Sequence, residues 1–449
     1  MDPETKHADL TSSSETAINK EDITKPQNEP ETAGIPLERR APKNIPGPPP
    51  EGGLEAWLQV VGAFSIMVAT WGLVNTYGVY QTYYQTVMLT SNSASSISWI
   101  GSLQACLLFI GGLVSGPLFD AGYFRAELIV GLFLICFGMF MTSLCTSYWQ
   151  VILAQGVCVG LGMGLTFLPA AGLLAQYFQK RRAFALGIGG TGSPIGGIIF
   201  PIIFSRLEPS IGFGWATRVI AFIVLGLSVL PIIFMRPRIP PTGRVRSVVD
   251  NTAWTDLGFM SYAVGVSVTF LVLYTAFFYL QVFTELNDIS SAEFSPYTVT
   301  FLNVGSIIGR LLPTYLADKL GQVNVIVFCT FASAVLAFGW MGIHNLGGVV
   351  VFAVLYGITS GGVVNLSASA LMTFSPSMAL IGTRMGMAFA LAGVCVLVGT
   401  PIAGAILGDF TRTRWLAAIG YSAGGLILGT AFMIVARFTK GRGKDGWKF

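Results

Sequence analysis

Residues 303–321, NVGSIIGRLLPTYLADKLG, place an arginine inside an apolar segment that ends in a short charged turn. The segment has a counterpart 198 residues earlier in the chain, which aligns with it without a gap. The matched pairs are Gly309 and Gly111, Leu311 and Leu113, Leu316 and Leu118, and Asp318 and Asp120. A duplicated apolar helix predicts two homologous membrane halves, and the binding sites of such proteins lie where the halves meet. Arg310 occurs in the second half alone, because the first has Gly112 at that position.

The composition indicates a membrane protein. Of the 449 residues, 53% are hydrophobic and 11% are charged, and the mean hydropathy is +0.67. Ordinary soluble domains do not have this composition. The first 51 residues carry six Lys or Arg and ten Asp or Glu, whereas the remainder carries twenty and twelve. This basic excess fits cytoplasmic loops of a membrane protein and gives no reason to infer nucleic-acid binding.

Twelve apolar runs of about 20 residues follow the first 50 residues, and each is long enough to cross roughly 30 Å of hydrocarbon. They occupy approximately residues 57–81, 97–118, 126–146, 149–176, 183–204, 217–235, 257–283, 296–316, 323–343, 347–370, 379–407 and 415–437. The basic, proline-containing stretch RPRIPPTGRVRSVVDNTAWTD separates the sixth run from the seventh. The sequence therefore predicts an all-α polytopic membrane protein with 12 transmembrane helices in two six-helix halves.

The predicted organisation has five parts. Residues 1–50 contain nine prolines and no apolar periodicity, so a disordered cytoplasmic tail is expected. The N-terminal six-helix half covers residues 51–235, a cytoplasmic linker covers 236–256, and the C-terminal six-helix half covers 257–437. Residues 438–449 form a second cytoplasmic tail.

The distribution of basic residues predicts the orientation. With the N-terminus inside, the predicted cytoplasmic side holds seventeen of the counted Lys and Arg residues, and the opposite side holds four. Lys and Arg concentrate in cytoplasmic loops, so we expect both termini in the cytoplasm. We expect a multi-pass protein of the plasma membrane, in contact with the lipid bilayer, and a monomer is compatible with the sequence.

Several motifs resemble those of the major facilitator superfamily. The turn ADKLG at residues 317–321 is close to the loop signature of that superfamily, and GPLFD at residues 116–120 is its partner in the first half. Asp120 departs from the signature, because no basic residue directly follows it. The resemblance implies a carrier whose two halves rock around a central site.

Further motifs resemble the monocarboxylate-transporter family and its fungal branch. EGGLEAW at residues 51–57 and YFQKRRAFALG at residues 177–187 resemble its two signatures. The stretches similar to the fungal members are SISWIGSLQ from Ser96, GPLFDAGYFR from Gly116, FMTSL from Phe140, YWQVILAQG from Tyr148 and GTPIAGAIL from Gly399. The family includes carriers of small monocarboxylates and carriers of larger or neutral molecules, and its fungal members include carriers of secondary metabolites. The resemblance thus leaves the substrate open.

Arg310 is the leading candidate for substrate binding. We treat it as the lone charge inside a predicted membrane segment, where a charge is costly and usually functional. A guanidinium can hold a carboxylate with two parallel hydrogen bonds. The alternative is a structural arginine that caps backbone carbonyls or pairs with a gate residue. Asn303 and Ser306 share its helical face and extend the candidate site.

Six further residues are candidates for the cavity. The resemblance places Asn75 where proton-coupled members have a lysine, and Ser306 where they have an aspartate. Tyr356 and Ser360 lie one turn apart in the tenth predicted helix, and Tyr274 lies in the seventh. Gln104 and Gln155 are equally candidates for helix packing. Asp120 and Asp318 are expected to act as gate residues that form state-dependent ion pairs.

We expect a secondary transporter that moves a small organic solute, a monocarboxylate or a related metabolite, by alternating access. Export of a fungal secondary metabolite is the first alternative, and a transporter-like membrane sensor or receptor is the second. No nucleophile and base, metal-ligand set or nucleotide-binding loop occurs at a workable spacing, so no enzyme and no cofactor or metal is predicted. The Asp and Glu residues between Gly52 and Arg437 fall at predicted helix ends or in loops, which predicts weak or absent proton coupling.

Overall fold

The computed structural model describes residues 49–178, 182–239, 249–291, 294–376 and 380–440. Most of the two predicted tails, most of the linker and the basic cluster at residues 180–182 lie outside the described residues or have undescribed side chains. The described residues all belong to the compact unit that begins at Pro46.

The described residues form twelve long helices, which confirms the predicted all-α fold. They are α1 (Leu54–Met88), α2 (Ala94–Phe119), α3 (Phe124–Thr142), α4 (Tyr148–Tyr177), α5 (182–211), α6 (213–234), α7 (Leu257–Leu286), α8 (Tyr297–Leu320), α9 (Gln322–Trp340), α10 (Leu346–Met372), α11 (Ile381–Leu407) and α12 (Arg412–Lys440). A short 3-10 helix, Asn251–Thr255, precedes α7.

Helices α5 and α6 follow each other almost without a loop. The sequence predicts these helices at residues 183–204 and 217–235. In the structure α5 extends to residue 211 and α6 starts at residue 213, because only Gly212 leaves the helical conformation. Its φ of 79° lies in the left-handed region, which glycine enters without a steric penalty. The helices therefore continue beyond the apolar runs, through the polar residues from Arg206 to Ser210.

Ten of the described segments are long and apolar enough to cross a membrane by length and composition. One of them, Phe184–Phe234, contains both α5 and α6. Helix α8 is not among the ten, and it carries Arg310, Asp318 and Lys319. The helix that carries the leading site residue is thus not among the described segments that are apolar enough to cross a membrane by this measure.

The two halves meet mainly through three helix pairs, α1 with α7, α2 with α11 and α5 with α8, and α1 also contacts α8. We call the face with the start of α1 and the end of α12 the terminal face, and the other the loop face. Near the loop face the halves touch directly. Ser95 Oγ on α2 donates to the Pro401 carbonyl on α11 at 3.0 Å, and Arg206 Nη2 on α5 donates to the Tyr297 hydroxyl on α8 at 2.7 Å.

A glycine permits a close approach between α1 and α7. Gly78 on α1 lies against the Phe277 carbonyl of α7, where a Cβ atom would collide with the backbone. The contact leaves no room for water or substrate between α1 and α7 at this level. The molecule is therefore closed near the loop face.

Candidate functional site

A cavity of about 760 Å³ lies between the two halves. Its described lining comes from α1, α2, α4, α5, α7, α8, α10 and α11, together with Gly122 after α2, Pro237 and Ile239 after α6, and Gln322 at the start of α9. Phe119, Gln176, Asp318 and Met372 border it where their helices reach the terminal face. The cavity therefore opens toward the terminal face, opposite the closed contacts.

Arg310 lies in the cavity wall and has no acidic partner among the described residues. Its side chain is 5% exposed, Nη1 donates to the Gly190 carbonyl at 3.1 Å, and Nη2 donates to Ser193 Oγ at 3.1 Å. Its Nε atom is buried and has no hydrogen-bond partner in the part of the chain that the structure describes. The guanidinium is bonded to neutral oxygens, so no described residue compensates its positive charge. The site therefore favours an anion.

Asn75 and Asn303 join the same network from the side of the loop face. Asn75 Nδ2 donates to Asn303 Oδ1 at 3.1 Å and to Ser193 Oγ at 3.2 Å. Asn303 Nδ2 donates to the Gly197 carbonyl at 3.1 Å, and a Cβ atom at Gly197 would collide with the Asn303 amide. These bonds connect α1 and α5 of the first half to α8 of the second. Both asparagines are buried and neither belongs to the described cavity lining.

The other predicted binding residues lie within helix contacts. The Tyr356 hydroxyl donates to the Leu273 carbonyl on α7 at 3.0 Å, and Ser360 Oγ donates to the Tyr356 carbonyl at 2.6 Å. Ser306 packs against Gly361 on α10. None of these three belongs to the described cavity lining in this conformation, and their roles in binding stay predictions.

The two predicted gate residues are described unequally. Asp318 lines the cavity near the terminal face, is exposed and forms no ion pair with a described residue. Asp120 lies at the end of α2, and its side chain lies outside the described parts of the structure. Ion pairs that close this face are expected only when the cavity is shut, so the gating roles stay predictions.

Sequence reasoning missed Arg384, although it falls inside the predicted run 379–407. Arg384 lies in the first turn of α11 and is 2% exposed, so Arg310 is not the lone buried arginine. Its Nε atom pairs with Asp250 Oδ2 at 2.9 Å, and Nη1 pairs with Asp256 Oδ2 at 2.7 Å. Nη1 also donates to the Phe374 carbonyl at 2.9 Å. The sequence did carry a signal for Arg384, namely a basic residue inside an apolar run.

The Arg384 cluster shifts the acidity of one partner. Thr252 donates to Asp250 Oδ1 through its hydroxyl at 2.6 Å and its backbone N–H at 3.0 Å. The Thr252 hydroxyl and then the Arg384 guanidinium hold the pKa of the Asp250 carboxyl below its ordinary value. The cluster attaches the end of the linker to α11 and to the start of α7.

Glu127 is a second residue that sequence reasoning passed over. It lies in the first turn of α3, is 4% exposed, and both carboxyl oxygens have no hydrogen-bond partner among the described residues. Helix α3 contributes no residue to the described cavity lining. Glu127 is therefore buried away from the cavity.

Comparison with known proteins identifies the class. The family model of the Major Facilitator Superfamily matches residues 59–390, so the chain belongs to this superfamily. It is a membrane transporter and not an enzyme.

Individual relatives are fungal transporters. An MFS-type transporter of Emericella nidulans, dbaD, is 41% identical over 364 residues, which are 81% of this chain and 82% of the relative. The aspyridones efflux protein apdF of the same organism is 37% identical over 414 residues, 91% of this chain and 83% of the relative. The MFS-type transporter pynF of Aspergillus niger is 34% identical over 406 residues, 90% and 93% of the two chains.

Proposed function

We propose that this transporter exports a medium-sized organic anion from the cytoplasm by alternating access. The observation that carries the proposal is Arg310, a buried guanidinium in the wall of a mostly apolar cavity, whose Nε atom and charge have no partner among the described residues. Ligand pockets of this kind have a few oriented polar groups in an apolar wall. Arg310 supplies the charge and the cavity supplies the apolar contact.

The size of the cavity favours a substrate larger than a simple monocarboxylate. At ~30 Å³ per heavy atom, the volume that a water molecule takes in the liquid, the cavity of about 760 Å³ holds about 25 heavy atoms. A three-carbon monocarboxylate has five or six heavy atoms and would leave most of the apolar wall without contact. A carboxylate on a larger skeleton combines the expected charged group with the available space.

The direction of transport is proposed from two considerations. The cavity opens toward the terminal face, and the counted basic residues predict that this face is cytoplasmic. One similar protein is named as an efflux protein. A substrate made inside the cell would enter the cavity from the cytoplasm and leave after the halves rock.

The network around Arg310 gives a physical route from binding to rocking. Arg310 bonds Gly190 and Ser193 on α5 of the other half. A carboxylate that binds the guanidinium competes with these neutral acceptors, because charge-assisted hydrogen bonds are about twice as strong. Substrate binding therefore weakens two bonds between the halves. The bound substrate then contacts both halves in place of these bonds, and it can stay bound while the halves rock from one conformation to the other.

The proposed anion site is tested by replacing Arg310 with lysine in purified protein in proteoliposomes. The probes are fluorescein, an anion of suitable size, and its neutral methyl ester methyl ether. We expect Arg310→Lys to lower fluorescein transport at least about tenfold, because an ammonium cannot make the two-pronged contact. Arg218→Lys is the matched control, since Arg218 lies outside the described cavity lining and bonds Ser143.

Two outcomes would contradict the anion site. If Arg310→Lys transports fluorescein as fast as the unchanged protein at an equal protein level, Arg310 does not hold the anion by a bidentate contact. Equal transport of the charged and neutral probes by the unchanged protein would show that Arg310 only connects the halves.

The proposed orientation is tested with single cysteines in a background that lacks the six native ones. Ser93 precedes α2 on the loop face, and Ser247 lies outside the described residues, in the linker. On intact cells an impermeant maleimide should label Ser93→Cys and leave Ser247→Cys unlabelled until the membrane is opened. Labelling of both from outside would overturn the twelve-helix arrangement with cytoplasmic termini.

A further inference from the structure

We propose that five aromatic rings in the cavity wall form a second substrate subsite, which binds a planar conjugated ring system carried by the anion at Arg310. The five rings, named the aromatic wall, are Trp71, Phe109, Phe167, Phe270 and Phe389. This inference rests on the proposed function and names the chemical class of its substrate: an aromatic or otherwise conjugated organic acid.

The rings of the aromatic wall form one continuous array. The Trp71 ring meets Phe109 at a centroid distance of 5.3 Å and an angle of 78°, and it meets Phe167 at 5.7 Å and 75°. The Phe109 ring meets Phe270 at 5.2 Å and 76°, and it stacks with Phe389 at 5.6 Å and 26°. Edge-to-face and offset-stacked arrangements at these distances are the ones that aromatic rings prefer. We infer that the parts of this array that border the cavity offer a planar guest ring contacts of the same kind.

The aromatic wall is shared between the halves. Trp71, Phe109 and Phe167 belong to α1, α2 and α4, whereas Phe270 and Phe389 belong to α7 and α11. All five are at least half-buried yet border the cavity. A guest ring on this wall therefore contacts both halves at once, as does an anion on Arg310. One rigid ligand could engage the aromatic wall and the guanidinium together.

The charges of the cavity argue against a cationic guest. Aromatic rings also attract cations through their faces, so charge must decide between the two classes. Among the described lining residues the charged ones are Arg310, in the wall, and Asp318, near the terminal face. Arg310 repels a cation from the interior of the cavity. A neutral conjugated ring attached to an anionic group satisfies both parts of the site.

The experiment compares two acids with the same carbon skeleton, one with planar conjugated rings and one with saturated, non-planar rings. Radiolabelled 2-naphthoate and decahydro-2-naphthoate have the same carbon skeleton and the same carboxylate, and their binding to the purified full-length protein is measured. Phe389→Leu and Phe109→Leu keep an apolar side chain of similar size and remove the ring. Phe133→Leu is the control, because Phe133 stacks with Phe137 at 5.7 Å on an exposed face of α3, outside the described cavity lining.

We expect the unchanged protein to bind naphthoate more tightly than its saturated counterpart, by about two- to tenfold for each ring contact. Phe389→Leu and Phe109→Leu should lower naphthoate binding more than decahydronaphthoate binding, and a retained melting temperature shows that the variants fold. Phe133→Leu should keep the full preference. Equal binding of the two acids, or equal losses for both in the two cavity variants, would overturn the aromatic subsite.

Failure of the proposed function gives a different pattern. The third probe is 2-naphthamide, which keeps the rings and lacks the charge. If Arg310 does not bind the anion, naphthoate and naphthamide bind equally, while the preference for conjugated over saturated rings persists. If the aromatic wall is not a subsite, the carboxylate preference persists and the ring preference is absent.

Discussion

Arg310 on α8 and Arg384 on α11 are both buried in the second half, yet their surroundings are opposite. Arg384 is 2% exposed and pairs with the carboxylates of Asp250 and Asp256. Arg310 is 5% exposed, bonds a carbonyl and a hydroxyl, and has an Nε atom without a partner among the described residues. A buried charge is stable only when it is compensated. The protein compensates Arg384 internally, whereas Arg310 is suited to an anion from outside.

The two locations match this difference. Arg384 attaches the linker end and the start of α7 to α11, so its partners are parts of the fold. Arg310 lies in the cavity wall, where a ligand can reach it. Burial alone therefore does not identify a binding residue in this membrane protein. The presence or absence of an internal counter-charge separates the two roles.

The largest expected effect comes from making Arg310 resemble Arg384. Ser193 Oγ accepts a hydrogen bond from Arg310 at 3.1 Å, so Ser193→Asp places a carboxylate beside the guanidinium. Because a charged hydrogen bond contributes about 1.5–3 kcal/mol, we expect anion transport to fall by about 10- to 100-fold. The measurement is fluorescein transport in proteoliposomes, together with the melting temperature, which should be retained.

Ser193→Ala is the matched control for this substitution. It removes the same hydrogen bond without adding a charge, and it should retain transport within a few-fold. If Ser193→Asp transports the anion as well as Ser193→Ala does, Arg310 does not bind the substrate, and the contrast between the two arginines loses its functional meaning.

A large effect on stability is expected at the other arginine. Arg384→Gln removes the Arg384 cation from Asp250 and Asp256, and breaking a buried ion pair from one side is strongly destabilising. We expect the melting temperature to fall by about 5 °C or more, with transport per folded molecule within about twofold. The Arg310→Lys variant should show the reverse pattern. A selective loss of transport in Arg384→Gln would assign Arg384 to the transport path.

Much of the fold is predictable from the sequence, because the hydrocarbon thickness fixes the length of each apolar run. The candidate site is predictable less completely. Helical periodicity places Asn303, Ser306 and Arg310 on one face, but it does not say which neighbouring helix each one meets. Ser306 packs on Gly361 while Arg310 borders the cavity. The Arg384 partner Asp250 is 134 positions away in the chain, so no local spacing predicts their pairing.

A smaller, pH-dependent effect separates the two arginines further. Because the folded-state pKa of Asp250 is lowered, its contribution to stability is present above its unfolded-state value of about 3.9 and is lost as the pH falls through the folded-state value. We expect the contribution of Asp250 to the melting temperature to be constant from about pH 7 to pH 5 and to be lost below about pH 4. The Asp250→Asn variant should lose this acid component. An unchanged acid profile in Asp250→Asn would show that the ion pair does not contribute to stability.

The smallest effect is expected at Glu127, the buried acid that contrasts most with Arg310. Proton symport needs a titrating group in the transport path, and arginine does not titrate usefully. Glu127 is 4% exposed, and its two oxygens have no partner among the described residues. Because α3 contributes no described residue to the cavity lining, we expect Glu127 to lie outside the transport path.

We therefore expect Glu127→Gln to change transport by less than about twofold, because the amide has nearly the shape of the carboxyl group. We also expect weak or absent proton coupling in the unchanged protein. The measurement is fluorescein accumulation in proteoliposomes with an imposed pH gradient and no substrate gradient. Sustained accumulation that a protonophore abolishes, and that Glu127→Gln loses, would make Glu127 the coupling site and place a second charge-bearing group beside Arg310 in the mechanism.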